Sequence, residues 1–218
     1  MLAFILLGIL IITYIIVNYY LRFSPLNVEG KTFMVAGLKG SGKSYYLSYL
    51  AKKFIKKGNP VFCNFPVWGA YELEFDYMTK YLFPKGSVIL YDEAHNELDS
   101  DNHKARHIKD SLIMFTQSRK LGYTVGIASQ NPVRVVKALR DITDYFIWAC
   151  GSRGGIFDYV VYLSYDHFII NHDFKSFKVL DSNKIRNSYL TEYLHNDITD
   201  RSMCPMIPWE ERSNPAEL

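Results

Sequence analysis

Cysteine is scarce in this chain of 218 residues, limited to the widely spaced Cys63, Cys150 and Cys204. That excludes a disulfide scaffold and a cysteine zinc site, and it fits the reduced thiols of a cytosolic domain. A strong charge bias is missing too. Lys and Arg number 25 and Asp and Glu 22, so the net charge of +3 is too small to argue for nucleic acid by itself. What is plentiful is apolar: 49% of residues are hydrophobic and 16% aromatic, which excludes a disordered tail and suffices for a packed core.

Charge is absent altogether from residues 2–21, LAFILLGILIITYIIVNYYL. About 20 apolar residues at a rise of ~1.5 Å cross a hydrocarbon layer of ~30 Å. The run has no polar face, so it does not read as a core helix. It also has no basic leader and no small-residue cleavage site, and it ends in Tyr19-Tyr20-Leu21-Arg22, so an uncleaved anchor is expected rather than a signal peptide. No basic residue precedes the run, whereas Arg22, Lys31, Lys39 and Lys43 follow it. The expected topology is a single pass through the inner membrane, with the N-terminus outside and the rest of the chain cytoplasmic. Residues 1–22 are then the anchor and residues 23–30 a juxtamembrane linker.

Next comes a short apolar run, residues 32–36, with Gly37-Leu38-Lys39-Gly40-Ser41-Gly42-Lys43-Ser44 directly behind it. This is G-x-x-x-x-G-K-[ST] in full, between an expected strand and an expected helix over residues 44–57. Gly37, Gly40 and Gly42 let backbone N–H groups curl around phosphate oxygens, and Ser41 belongs to the same phosphate-binding set. Lys43 reaches the outer phosphates of ATP, and Ser44 supplies a hydroxyl ligand for Mg²⁺. A second apolar run, residues 87–91, ends in Asp92-Glu93. Acids at such a strand end lie where ligands bind in open α/β sheets. Asp92 is expected to hold Mg²⁺ through water, and Glu93 to polarise the attacking water, which marks an ATPase. His95 is expected to be a first-turn helix residue without a role. A third run, residues 124–129, ends in Gln130, an amide placed to contact the last phosphate or orient water. No Leu-Ser-Gly-Gly-Gln-type signature and no arginine-rich lid occur, so neither an ABC-type ATPase nor a small-molecule kinase is indicated.

Further expected strands at residues 61–64 and 145–149, and helices at 101–121 and 133–141, complete a βαβ pattern. The fold class expected is α/β: a P-loop NTPase with a mainly parallel sheet flanked by helices, plus the N-terminal transmembrane helix and a small β-rich C-terminal extension. The ATPase core spans residues 31–150. Residues 151–155 read as a flexible loop, and 158–165, 167–171 and 176–180 as strands of an extension over 151–200. Residues 185–195 read as a short helix and 201–218 as an extended tail.

The ordered set of residues 37–44, Asn64-Phe65-Pro66, Leu90-Tyr91-Asp92-Glu93-Ala94, Ser118-Arg119-Lys120-Leu121-Gly122 and Ala128-Ser129-Gln130-Asn131-Pro132 resembles the zonula occludens toxin-like family, the assembly ATPases of filamentous phages within the FtsK/HerA-like P-loop NTPases. The resemblance implies a Mg-dependent ATPase in the inner membrane that drives phage assembly and DNA extrusion, with phage DNA and coat or assembly proteins as partners. An alternative within the same group is packaging or translocation of viral or plasmid DNA. It also implies a homo-oligomeric ring in which an arginine enters the neighbour's ATP site. Arg119 and Arg140 are the candidates, with Arg106, Arg134 and Arg153 open. Members of the family commonly place the membrane helix after the ATPase domain, whereas here the apolar run precedes it.

Overall fold

The structure, a computed structural model, describes residues 6–14, 26–99, 106–186 and 207–208. Residues 6–14 form helix α1, on which Leu6, Leu7, Ile9, Leu10, Ile11 and Ile12 are all exposed. The remainder of the expected anchor lies outside the described residues, and among these no helix is long and apolar enough to cross a membrane.

The folded body opens with β1 (Thr32–Ala36), α2 (Lys43–Lys56), β2 (Val61–Cys63), β3 (Tyr71–Glu72), α3 (Phe75–Lys80), β4 (Tyr81–Leu82) and β5 (Val88–Tyr91). It continues with α4 (Arg106–Leu121), β6 (Thr124–Ser129), a 3-10 turn at Pro132–Arg134, α5 (Lys137–Asp141) and β7 (Tyr145–Arg153). It ends with β8 (Ile156–Tyr162), α6 (Tyr165–Ile169), β9 (Phe174–Leu180), α7 (Asn183–Arg186) and β10 (Ile207–Pro208).

Eight strands form one sheet in the order β3-β2-β5-β6-β1-β7-β8-β9. The strands from β3 to β7 pair in parallel, while β7, β8 and β9 pair antiparallel. The apolar runs seen in the sequence are continuous because both faces of the sheet are covered. On β1, Phe33 and Val35 join α2 residues such as Tyr46, Leu47 and Leu50 in one core. Met34 and Ala36 join Met78 of α3, Ile108 and Phe115 of α4 and Leu139 of α5 in the other. Such burial stabilises the fold by ~1.5–3 kcal/mol for each large side chain.

The six parallel strands end at a common edge, the site edge. They begin at the opposite, entry edge, where Gly30 N–H donates to Thr124 Oγ1 at 2.8 Å and Thr32 N–H to Asp144 Oδ2 at 2.9 Å.

Several elements differ from the sequence expectation. The helix expected over 133–141 is a 3-10 turn and a separate α5, because Val136 N–H is drawn out to Leu98 O at 2.9 Å and Val135 bridges to Asp99. Residues 167–171 are not a strand. Ser164 Oγ accepts from His167 N–H at 3.2 Å and caps α6, and Phe168, three residues after Tyr165, stacks on Trp148 with centroids 5.1 Å apart. Residues 151–153 are not loop but the end of β7, leaving Gly154-Gly155 as the turn into β8. The short elements β3, α3 and β4 carry too few residues to leave a periodic signal. Of the expected helix 185–195, residues 187–195 lie outside the described residues, as does most of the tail. Ile207–Pro208 pairs antiparallel with β4.

Candidate nucleotide-binding site

β1 stops at Ala36 and the chain turns through Gly37, Gly40 and Gly42 with φ of 155°, 75° and 98°. Two of these glycines are also required by space. A Cβ on Gly37 would lie 2.7 Å from Ala149 O, and one on Gly42 would lie 2.5 Å from the Phe157 ring. β7 and β8 thus press against the back of the loop. The phenol of Tyr159 donates to Gly42 O at 2.9 Å, and the Tyr45 ring stacks on Phe157 at 4.3 Å.

Lys43 opens α2 and is almost wholly buried. Its Nζ donates to the carbonyls of Gly37 and Leu38, both at 3.1 Å, which holds the ammonium within the loop. Burial lowers its pKa, and the carboxylates of Asp92 and Glu93 oppose that shift. Ser41 Oγ is buried and meets no hydrogen-bond partner among the described residues. The loop, with a helix N-terminus behind it, has the build of an anion cradle.

The strand order places β5 next to β2 on one side and β6 on the other, and this collects the remaining groups. Ser44 Oγ donates to Asp92 Oδ2, joining the loop to the acid at the end of β5. Asn64, just past β2, clamps the same residue: Asp92 N–H donates to Asn64 Oδ1 at 2.6 Å, and Asn64 Nδ2 donates to Asp92 O at 2.9 Å. Asp92 Oδ1 accepts from Glu93 N–H at 2.8 Å. Burial raises the Asp92 pKa, against the opposing pull of the Ser44 hydroxyl, the Glu93 N–H and Lys43. A buried carboxylate held this way gains from a nearby cation. The Ser44 and Asp92 oxygens have the donor chemistry of Mg²⁺, which takes few protein ligands and fills its octahedron with water and phosphate.

Glu93 adopts φ of 51°, left-handed backbone that a non-glycine residue adopts at a cost of ~1–3 kcal/mol. Its Oε1 accepts from Gln130 Nε2 at 2.7 Å. Its Oε2 is buried and accepts no hydrogen bond among the described residues, although His95 Nδ1 is 3.3 Å away. His95 is therefore not the helix-start residue expected. It sits in a turn between Glu93 and Ser129 Oγ, the latter at 3.4 Å.

The structure thus brings Gly37, Gly40, Ser41, Gly42, Lys43, Ser44, Asp92, Glu93 and Gln130 to one edge. Two arginines lie elsewhere. Arg119, in the last turn of α4, pairs with Asp144 at the entry edge. Arg140, in the last turn of α5, lies over the Tyr165 ring with its guanidinium carbon 4.6 Å from the centroid. Neither reaches this chain's own loop. Arg134 is at the site edge, bonded to Asp99 at 2.7 Å, and Arg153 ends β7 beyond the loop. The Arg106 side chain lies outside the described residues.

Asn64 stands in the sequence only as part of the motif set, with no role attached, and His95 is expected to have none; the structure puts Asn64 on Asp92 and His95 beside Glu93. The signal for Asn64 was its place at the end of an apolar strand, the same cue that marked Asp92 and Gln130.

No protein-family model and no curated protein matches the sequence. Solved structures do match. The N-terminal domain of zonular occludens toxin from Neisseria meningitidis superposes with a TM-score of 0.56 at 16% identity, covering 74% of this chain and 100% of that one. The genome packaging NTPase of Sulfolobus turreted icosahedral virus 2, in its complexes with ATP-gammaS and with AMP, gives 0.50 at 11% identity, covering 71% of this chain and 100% of that one. At these identities the likeness is one of fold. The resemblance carried by the sequence motifs therefore holds in three dimensions: the chain has the P-loop NTPase fold of the zonular occludens toxin N-terminal domain.

Proposed function

We propose that this chain is a membrane-anchored ATPase that hydrolyses ATP to drive filamentous phage assembly and DNA extrusion. The contact between Ser44 Oγ and the Asp92 carboxylate carries the ATP-hydrolysis part of this reading, because it makes one site of the glycine loop and the strand acid, and the resemblance of the motif set to the zonula occludens toxin-like family supports the rest.

The backbone N–H groups of residues 37–44 and Lys43 hold the phosphates. Ser44 and Asp92 hold Mg²⁺, which when bound supplies positive charge against the phosphate oxygens. Asn64 fixes the backbone of Asp92 and so aims its carboxylate. The Glu93 carboxylate accepts a proton from water at Oε2, which no protein donor occupies among the described residues, and Gln130 holds the carboxylate through Oε1. Arg119 and Arg140 sit at the entry edge and take no part in this chain's own site. The uncharged run of residues 2–21 and the exposed apolar side chains of α1 support a single-pass anchor in the inner membrane, with the ATPase domain cytoplasmic.

A second reading, packaging of viral DNA, is favoured by the fold shared with the viral packaging NTPase. Turnover of ATP by the full chain, measured with single-stranded and with duplex DNA, separates the two. Stimulation by single strands supports extrusion, and stimulation by duplex supports packaging. Turnover unaffected by either overturns the motor reading.

A further inference from the structure

The entry edge carries two features that nucleotide chemistry does not use. The first is an apolar knuckle between β8 and β9. Leu163, Ile169, Ile170 and Phe174 are between 53% and 66% exposed, although they flank the packed Phe168. The knuckle is held in shape. His172 N–H donates to His167 O at 2.9 Å, Tyr162 donates to Asn171 Oδ1 at 3.1 Å, and Asn171 and Asp173 both take φ of 50°. Backbone strain of this kind persists only where its surroundings enforce it. A loop of this kind, so fixed, presents its isoleucines outward instead of folding them in.

The second feature is charge. Lys31, Lys56, Lys85 and Lys120 lie around the same edge, at the start of β1, the end of α2, the loop before β5 and the end of α4. None carries an ion pair among the described residues. Of the acids nearby, Glu29 pairs with Lys57 and Asp144 with Arg119. Asp141, Asp166 and Asp173 remain exposed, three acids against the four lysines. The balance at this edge is positive.

The chain arrives here from its uncharged N-terminal run. Leu26 packs on the core, Val28 is buried and Gly30 is bonded to the first residue of β6. Five peptide steps separate Leu21, the last residue of the run, from Leu26, and at ~3.6 Å each they reach roughly 18 Å at most. A bilayer holding residues 2–21 therefore lies close to the entry edge, while the phosphate loop is a further ~16 Å away along β1.

We propose that the entry edge rests on the surface of an anionic bilayer, with Ile169 and Ile170 entering the headgroup layer and the lysines facing acidic lipid headgroups. The inference rests on the reading of residues 2–21 as an anchor. It adds an orientation: the sheet stands on the membrane with the ATP site facing away from it.

The test uses the full chain reconstituted in phosphatidylglycerol vesicles containing brominated lipid. A fluorophore is attached at Ile170→Cys or, as a control at the site edge, at Ser152→Cys, with Cys150 and Cys204 replaced by Ser. The label at 170 should be quenched severalfold more than the label at 152, and the difference should shrink when phosphatidylcholine replaces the anionic lipid. Equal quenching at both positions, in a chain that floats with the vesicles, overturns the orientation while leaving the anchor intact. A chain that does not float with the vesicles overturns the anchor reading and the orientation with it. A difference unchanged in phosphatidylcholine overturns the role of the lysines.

Discussion

The parallel part of the sheet and its antiparallel arm both touch the glycine loop, but they give it different things. Strands β2, β5, β6 and β1 end at the loop and deliver polar groups: Asn64, Asp92, Glu93, Gln130, Lys43 and Ser44. β8 runs alongside and delivers none that could react. Phe157 and Tyr159 fill the space behind Gly42, and the Tyr159 ring lies against Tyr46 at 4.8 Å and Phe177 at 5.1 Å. One half of the molecule supplies the chemistry, and the other sets the curvature of the loop on which that chemistry depends. Substitutions in the first half should then change turnover at nearly constant stability, and those in the second should change stability and nucleotide affinity with little effect on the chemical step.

The largest effect is expected from Lys43→Ala. It removes the ammonium bonded into the loop, and electrostatic groups of this kind are worth ~10²–10³ in rate. Nucleotide affinity falls as well, so ATP turnover should be undetectable in a steady-state assay. Normal turnover would refute the loop assignment. Glu93→Gln comes next. General bases contribute ~10²–10⁴, and the variant should bind ATP as tightly as the parent while hydrolysing it at least ~10²-fold more slowly. Equilibrium binding beside single-turnover hydrolysis reads the two apart. A parent-like rate would remove Glu93 from the water-activating role.

Gly42→Ala crosses the boundary between the halves. The new Cβ would meet the Phe157 ring at 2.5 Å, and a φ of 98° strains any L-residue. Overpacking of this kind costs ~1–3 kcal/mol, and a domain of this size should melt some ~3–10 °C lower. If melting is unchanged but turnover is lost, the arm does not shape the loop in the way the packing indicates.

The chemical half was legible in the sequence because phosphate binding demands adjacent residues. The glycines, Lys43 and Ser44 form a continuous string, and Asp92-Glu93 and Gln130 sit where apolar runs stop. The contacts of the supporting groups were not legible, because strand order alone brings them together. Asn64 reaches Asp92 only because β2 neighbours β5, and His95 reaches Glu93 only because a turn replaces the expected helix. Tyr159 reads as an ordinary strand residue of a terminal extension, Phe157 falls just ahead of that expected strand, and nothing in their spacing points to residue 42. The stretch His167-Phe168-Ile169-Ile170-Asn171 reads as strand because it is aromatic and β-branched. Capping by Ser164 and the packing of Phe168 onto β7 override that propensity.

The smallest effect, and the finest test of the division, is Tyr159→Phe. The ring and its stacking on Phe177 survive, so only the hydroxyl that donates to Gly42 O is lost. That carbonyl also accepts from Tyr46 N–H at 3.0 Å, so it is not left bare. The expected cost is then that of one ordinary hydrogen bond, ~1 kcal/mol, and not the larger penalty of an orphaned buried carbonyl. Gly42 is the residue that turns the loop into α2, and loosening it should weaken ATP binding by about fivefold, the ratio that ~1 kcal/mol gives. The hydrolysis rate at saturating ATP should stay within about twofold of the parent, because Lys43, Glu93 and Gln130 take their positions from other bonds. Titration with a fluorescent ATP analogue and single-turnover hydrolysis measure the two quantities separately. A fall in the saturated rate with affinity unchanged would place Tyr159 among the groups that act on the chemical step, and the division between the two halves would fail at that residue.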